Sequence, residues 1–310
     1  MIIITTYHGR NNDSRFSNRR KYLEETIRSI DNQCLENLFH LIIDDGSTDD
    51  TYNVLHTRYA HDNRRRILRR EKGSQEPLTS TNARNFALDL CLSNHSIDGV
   101  NISEHEYIAF IDSDDVVIDL QKREEFLTKN KPDFLYTDVL LFFNNTDTAY
   151  LWKGLNPQQA YKNFWIHGKM PYPSMTWGID FLKKLREWTE NHYGFKGPFD
   201  SHIGCGEDVD VALSSLECAQ ERNSKIGYLP EVTAGYRIHN SSLATIRNQK
   251  TRVREENSVL KRHFGNVAVR YLHLRRFLVR PECYIPYLME VKNILRKKTS
   301  KQEFFSRQQL

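Results

Sequence analysis

The sequence predicts an α/β protein, a mostly parallel central sheet flanked by helices, with a basic helical extension at its C-terminal end. Three observations carry that prediction. Short β-rich runs alternate with helical stretches through roughly the first 140 residues, the pattern of parallel strands joined by covering helices. Two of the apolar strands run directly into acidic clusters, Asp44-Asp45 and Asp112-Ser113-Asp114-Asp115. Of the 44 Lys+Arg and 40 Asp+Glu, 16 and 5 respectively fall in residues 241–310, so a segment of net +11 follows a body of net −7. The expected division is a body of residues 1–243, in two parts at 1–116 and 117–243, and an extension of residues 244–310.

Met1–Thr6 reads as the first strand, with no basic segment ahead of it to suggest a signal peptide. A polar loop from His8 to Ser17 leads into a helix carrying Tyr22, Ile27 and Ile30, and Phe39–Ile43 is the second strand. Ser47-Thr48-Asp49-Asp50 has the form of a capping box for a helix with Val54, Leu55 and Tyr59 on its apolar stripe. Ile67-Leu68 is a short third strand. After the loop Gly73–Leu78, Ser80 or Thr81 caps a helix with Ala83, Phe86, Ala87 and Leu90 on one face. Tyr107–Ile111 is a buried strand. Beyond it, Phe134–Phe143, Met175–Gly178, Gly227–Leu229 and Thr233–Ile238 read as strands, and Pro157–His167, Ile179–Tyr193 and Gly206–Gln220 as helices. The tail from Ile246 to Lys298 reads as largely helical.

Composition excludes several classes. A mean hydropathy of −0.65 with 39% hydrophobic residues suits a globular fold, and no run approaches the roughly 18 apolar residues of a membrane span. The expected location is the cytoplasm. Cys34, Cys91, Cys205, Cys218 and Cys283 are odd in number, scattered, and never spaced C-x-x-C, so they are expected as reduced core residues. The basic tail interleaves Arg270, Arg275, Arg276 and Arg280 with Tyr271, Leu272, Phe277 and Leu278. That pattern suits an anionic membrane surface, and equally a helix pair with a solvated basic face.

In an open parallel sheet, ligands bind beyond the carboxyl ends of the strands, where both acidic clusters stand. Asp44-Asp45-Gly46-Ser47 alone is compatible with a turn and helix cap. Three carboxylates within Asp112–Asp115 suit Mg²⁺ or Mn²⁺ shared with substrate phosphates, since a hard cation takes oxygen ligands. Arg84 and Asn85 follow a loop at the same sheet edge, within reach of a phosphate or base. Glu207 and Asp208 open a helix, where the macrodipole favours carboxylates. His239 follows a strand and, by itself, reads as structural.

In this order the segments Ile2–Tyr7, Ile43–Asp49, Asn82–Asn85, Ile108–Asp115 and Gly206–Asp208 resemble the family 2 glycosyltransferases, whose nucleotide-diphospho-sugar transferase fold is called GT-A. The resemblance implies that Thr5, Tyr7 and Asp45 line the nucleoside pocket, with Asp45 accepting from a uracil N–H, and that Arg84 lies near base or phosphates. It implies Asp112 and Ser113 at the ribose, Asp114 and Asp115 at a divalent metal with His239 completing that shell, Asp208 as general base and Glu207 orienting the acceptor. The part at 1–116 would bind a UDP-sugar donor, and that at 117–243 a saccharide or lipid-linked acceptor of surface polysaccharide or glycolipid synthesis. Trp177 is the favoured aromatic acceptor contact among Trp152, Trp165, Tyr172, Trp177 and Trp188. His8-Gly9 replaces the family's more usual Asn, the basic loop to Arg20 is longer than usual, and Gln249-Lys250-Thr251-Arg252-Val253 lacks the Trp of the processive motif. Transfer of a single sugar is therefore expected.

Asp112-Ser113-Asp114-Asp115-Val116 also fits the nucleophile loop of haloacid-dehalogenase-like phosphatases, though that motif normally sits on a first strand. A nucleotidyltransferase would carry a Gly-rich loop after the first strand, which Thr5-Thr6-Tyr7-His8-Gly9 is not. A non-enzymatic nucleotide-binding regulator would use the basic tail, but acidic strand ends repel a nucleic acid, so none is expected as partner.

Overall fold

The computed structural model describes residues 1–10, 18–71, 80–144, 148–161, 170–204, 206–239, 251, 254–265 and 299–300. The expected loops at 11–17 and 73–78, Trp165, Cys205, Cys283, the motif at 249–253 save residue 251, and the tail's Arg/aromatic run lie outside the described residues.

Six strands form a parallel set: β1 (Ile2–Tyr7), β2 (Phe39–Asp45), β3 (Arg65–Arg70), β6 (Tyr107–Phe110), β8 (Phe134–Phe143) and β11 (Ile226–Ile238). The sheet is nevertheless mixed, because β10 (Met175–Gly178) runs antiparallel between β6 and β8. β11 pairs along one edge of β8 over its whole length, and β10 and β9 (Thr148–Trp152) share the other edge. Β-bulges between Leu229 and Ala234 keep β11 a single strand where two short ones were expected. A separate hairpin pairs β4 (Ser96–Ile97) with β5 (Val100–Asn101).

Parallel strands are buried on both faces, and β1 shows it in every residue. Ile2 and Ile4 join the core beneath α3 (Thr81–Ser93), α5 (Ile179–Tyr193) and α6 (Glu207–Glu221). On the opposite face Ile3 packs with Ile30 of α1 (Arg19–Asp31) and with Leu120 and Leu127 of α4 (Leu120–Asn130). Tyr7 packs there with Leu23, Ile27 and Leu55, the last from α2 (Thr51–Arg58). The capping box does not form: Asp50 caps α2 without a side-chain bond, while Asp49 accepts from Thr51 N–H at 3.1 Å and Ser47 Oγ from Gly9 N–H at 2.8 Å. Cys91 and Cys218 are buried as expected, but Cys34 is exposed in the turn after α1.

Residues 157–161 and 254–265 are helical, which covers parts of two expected helices. Val259 is fully buried in the main core. The described part of the C-terminal extension thus packs as an integral element of the body.

Candidate active site

The parallel strands all point their carboxyl ends one way, and this is what gathers the chemistry. β1 and β2 end at Tyr7 and Asp45, β6 runs into the turn Asp112–Asp115, and β11 ends beside His239. A short strand β7 (Val116–Val117) then pairs antiparallel with Gly235 and Ala234, which sets Asp114 and Asp115 against Arg237 and His239.

Within the turn, carboxylate oxygens of Asp112, Asp114 and Asp115 lie within 4.8 Å of one another. Each is held differently. Asp112 accepts from the Arg84 guanidinium. Asp114 takes His239 Nε2 at 2.8 Å on its carboxylate and Arg237 Nε–H at 2.6 Å on its backbone carbonyl. Asp115 is 1% exposed; one of its oxygens accepts from Arg237 N–H at 2.9 Å and the other is buried with no partner. Burial, together with Asp114 and Asp112, pushes the Asp115 carboxyl well above the usual carboxylate range, and burial raises Asp112 too. Asp114 goes the other way: burial opposes its ionisation, but His239, Arg19 and Arg237 hold it below its ordinary value. A buried, partnerless oxygen in a cluster of three carboxylates is the donor set a hard divalent cation fits. His239, packed edge-on against Tyr22 at 4.7 Å, stands outside that trio and reaches it through Asp114. Ser113 lies half-buried in the same turn.

Facing the turn is the N-terminus of α6. Gly206 caps it at φ 88°, a left-handed conformation that glycine adopts without Cβ strain, and Glu207, Asp208 and Asp210 crowd its first turn. Arg84, on α3 and 2% exposed, bridges the two sides: it donates to Asp112, and to Glu207 Oε1 at 3.4 Å, while its guanidinium sits 3.8 Å over the Tyr172 ring. Burial alone would lower Arg84, yet Asp112, Tyr172 and Glu207 more than offset it and the group is raised. Burial pushes Glu207 up to about 7 despite Arg84. Asp208 accepts from Val209 N–H at 2.9 Å.

Three expected contacts are corrected. Trp177 is fully buried, stacked on Phe134 and bonded through its indole N–H to Ser215 Oγ at 3.0 Å, so it offers no face to a sugar. Thr5 is fully buried, with its hydroxyl accepting from His40 Nε2–H at 3.0 Å. His40 is neutral, held well below its ordinary value by burial and Arg65. Tyr7 turns beneath α1 and α2, donating to Asp49 at 3.0 Å, and supports the strand from below. Asp45 stays at the strand end but is paired with Arg70 at 2.6 Å.

Three residues not singled out from the sequence, Arg237, Arg19 and Tyr236, lie at the site, together with Tyr172, one of the aromatic candidates there. Arg237 anchors the acidic turn and reaches Asn144 and Glu25, each at 2.7 Å. Arg19 is lowered by burial, against the pull of Asp114 and Asp112. Tyr172 lies 4% exposed under Arg84 with its hydroxyl unpartnered, and Tyr236 is kept protonated by burial and by Asp115, Asp208 and Asp114. The signal available for Arg237 was its place two residues before His239 at a strand end, in Tyr236-Arg237-Ile238-His239.

Comparisons with known proteins point one way. The chain is 33% identical over 101 residues to the glycosyltransferase GlyG of Streptococcus pneumoniae, a match covering 32% of this chain and 28% of GlyG. A TarS chain of S. aureus in complex with UDP-GlcNAc superposes with a TM-score of 0.54 at 16% identity, covering 85% of this chain and 72% of that one. The mannosyltransferase PcManGT of Pyrobaculum calidifontis, in complex with GDP-Man and Mn²⁺, gives 0.53 at 14% identity, covering 90% and 71%. These two likenesses establish the fold, GT-A. The family model described as Glycosyl transferase family 2 matches residues 15–182, more than half of the chain, and the protein belongs to that family.

Proposed function

We propose that the protein is an inverting, metal-dependent glycosyltransferase that moves one hexose or N-acetylhexosamine from a UDP-sugar to a hydroxyl of a saccharide or lipid-linked acceptor. The observation that carries this reading is the juxtaposition of the Asp112–Asp115 carboxylates with the acidic N-terminus of α6 across one buried arginine. Asp114 and Asp115 are the residues to hold Mn²⁺ or Mg²⁺, oriented by His239 and Arg237, and the ion when bound neutralises charge on the diphosphate. Asp112 and Ser113 face the ribose, and Asp45, steadied by Arg70, takes the uracil N–H.

On the other side Asp208 removes the proton of the acceptor hydroxyl as its oxygen attacks the anomeric carbon. The bond to the diphosphate breaks with its electron pair leaving on the phosphate oxygen, and the anomeric configuration inverts. Glu207, fixed by Arg84, orients the acceptor. UDP is favoured by Asp45 and by the UDP-GlcNAc complex of the TarS neighbour. Among the described residues no helix is long and apolar enough to cross a membrane. We place the enzyme in the cytoplasm, with the tail beyond the described residues resting on the inner membrane face. A phosphatase using Asp112 as nucleophile is disfavoured, because that carboxylate is bound by a buried guanidinium and the family is a transferase family.

Calorimetric titration of UDP, GDP, CDP and TDP, with Mn²⁺ and then EDTA, tests the donor side. Metal-dependent binding of UDP, lost in Asp114→Ala, is expected; binding of none of the four overturns the reading. Asp208→Asn should bind UDP as the wild type does and lose transfer.

A further inference from the structure

The helix at 254–265 passes directly over the N-terminus of α6. A Cβ placed on Gly206 would lie 3.6 Å from the Glu256 side chain and 4.0 Å from Val259. From this helix two cations reach the acids of α6 and of the loop before it. Arg262 Nη1 donates to both oxygens of Asp210, at 2.9 and 2.8 Å, and Nη2 donates to Asp200. The Arg262 guanidinium also lies 5.2 Å over Tyr193 and 5.0 Å over Phe195. His263 has no exposed side-chain surface, and both ring nitrogens face carboxylates: Nε2 to Asp210 at 3.0 Å and Nδ1 to Glu217 at 2.8 Å. Only the imidazolium can donate from both nitrogens, so the geometry requires the protonated ring.

The arrangement has a purpose that packing alone does not need. Three acids in one helical turn repel, and Asp210, 1% exposed, follows Asp208 by two residues. Arg84 pulls on Glu207 from the site, and Arg262 and His263 pull on Asp210 from behind, with Asp208 between them. We propose that Arg262 and His263 are positioning residues for the transfer reaction, clamping α6 from outside so that Glu207 and Asp208 are held facing the acidic turn. The proposal rests on the roles given to those two acids above.

The test uses the full chain with Arg262→Gln and Arg262→Lys. Hydrogen exchange reads the clamp without reference to activity: on the order of tenfold faster exchange in the first turn of α6 is expected in Arg262→Gln, with β1 and β6 unchanged and Arg262→Lys intermediate. Unchanged exchange there, or equal acceleration everywhere, overturns the clamp. Kinetics then reads positioning, with UDP release from UDP-GlcNAc and Mn²⁺ as the assay. A kcat lower by on the order of tenfold to a hundredfold is expected in Arg262→Gln, with UDP affinity retained. On an Asp208→Asn background the same substitution should add nothing. Parallel loss of UDP binding, or losses that multiply in the double variant, overturn the positioning role. A wild type that releases nucleotide from no UDP-, GDP-, CDP- or TDP-sugar overturns the transferase reading itself and with it the catalytic half of the proposal, while the exchange arm still decides the clamp.

Discussion

At Glu207 two opposing forces meet in one carboxyl group: burial resists its ionisation, Arg84 favours it, and burial wins, leaving the group at about 7 against an ordinary value of 4.5. Between those two values the native state keeps a proton that the unfolded chain has already lost, so stability falls as pH rises from about 4.5 to about 7 through this residue. Urea unfolding from pH 5 to 8 should show that fall, and Glu207→Gln should lessen it, leaving the part owed to Asp115, Asp112 and His263; an unchanged slope in the variant would assign the dependence to those groups alone. The residue scale is also where reading the sequence fell short. The types at Asp112, Asp114, Asp115, Glu207 and Asp208 were legible, because acids directly after an apolar strand or opening a helix are conspicuous. The directions of Thr5, Tyr7 and Trp177 were not. Each lies on a strand buried on both faces, where alternation no longer tells inside from outside.

The element that matters most is α6, whose acidic first turn is held between Arg84 and the pair Arg262–His263. His263 is raised above its ordinary 6.5: burial alone would lower it, and Asp210 and Glu217 outweigh burial. Tyr193 from α5 also faces Nδ1 at 3.2 Å, and Tyr161 shares Glu217 at 2.7 Å. A raised histidine contributes stability that is complete below its unfolded value and is lost as pH rises through its folded one. Exchange protection of α6 should therefore decline on the alkaline side of 6.5, and His263→Gln should remove that dependence; a decline of equal size in the variant would exclude His263 as its source. At this scale the sequence read well wherever periodicity was strong: Ile179–Tyr193 is found at those bounds, and Gly206–Gln220 within one residue. It missed α4, β4, β5, β7 and β9; a two-residue strand such as β7 has no pattern of its own and exists only by pairing with β11.

For the whole molecule the charge asymmetry takes on a concrete form. Part of the basic tail is spent inside the fold, on Asp200, Asp210 and Glu217, and Val259 plugs the main core. Truncation after residue 265 should leave thermal stability near that of the full chain and abolish salt-sensitive binding to anionic vesicles in co-sedimentation. Truncation after 243 should collapse stability, since it removes the clamp and the buried Val259 together. Vesicle binding that survives the shorter deletion would exclude the tail as anchor.

By itself the sequence determined the order of the main strands and helices, the strand-end acids and the family, because hydrophobic period and short-range motifs are local properties of a chain. Tertiary structure alone decided what those acids touch. That Arg84 joins Asp112 to Glu207 across 95 residues, that Arg237 anchors the Asp112–Asp115 turn, and that Arg262 pairs with Asp210 of α6 are facts of tertiary packing. Pairing between distant segments is set by packing of the entire core, and no window of neighbouring residues encodes it.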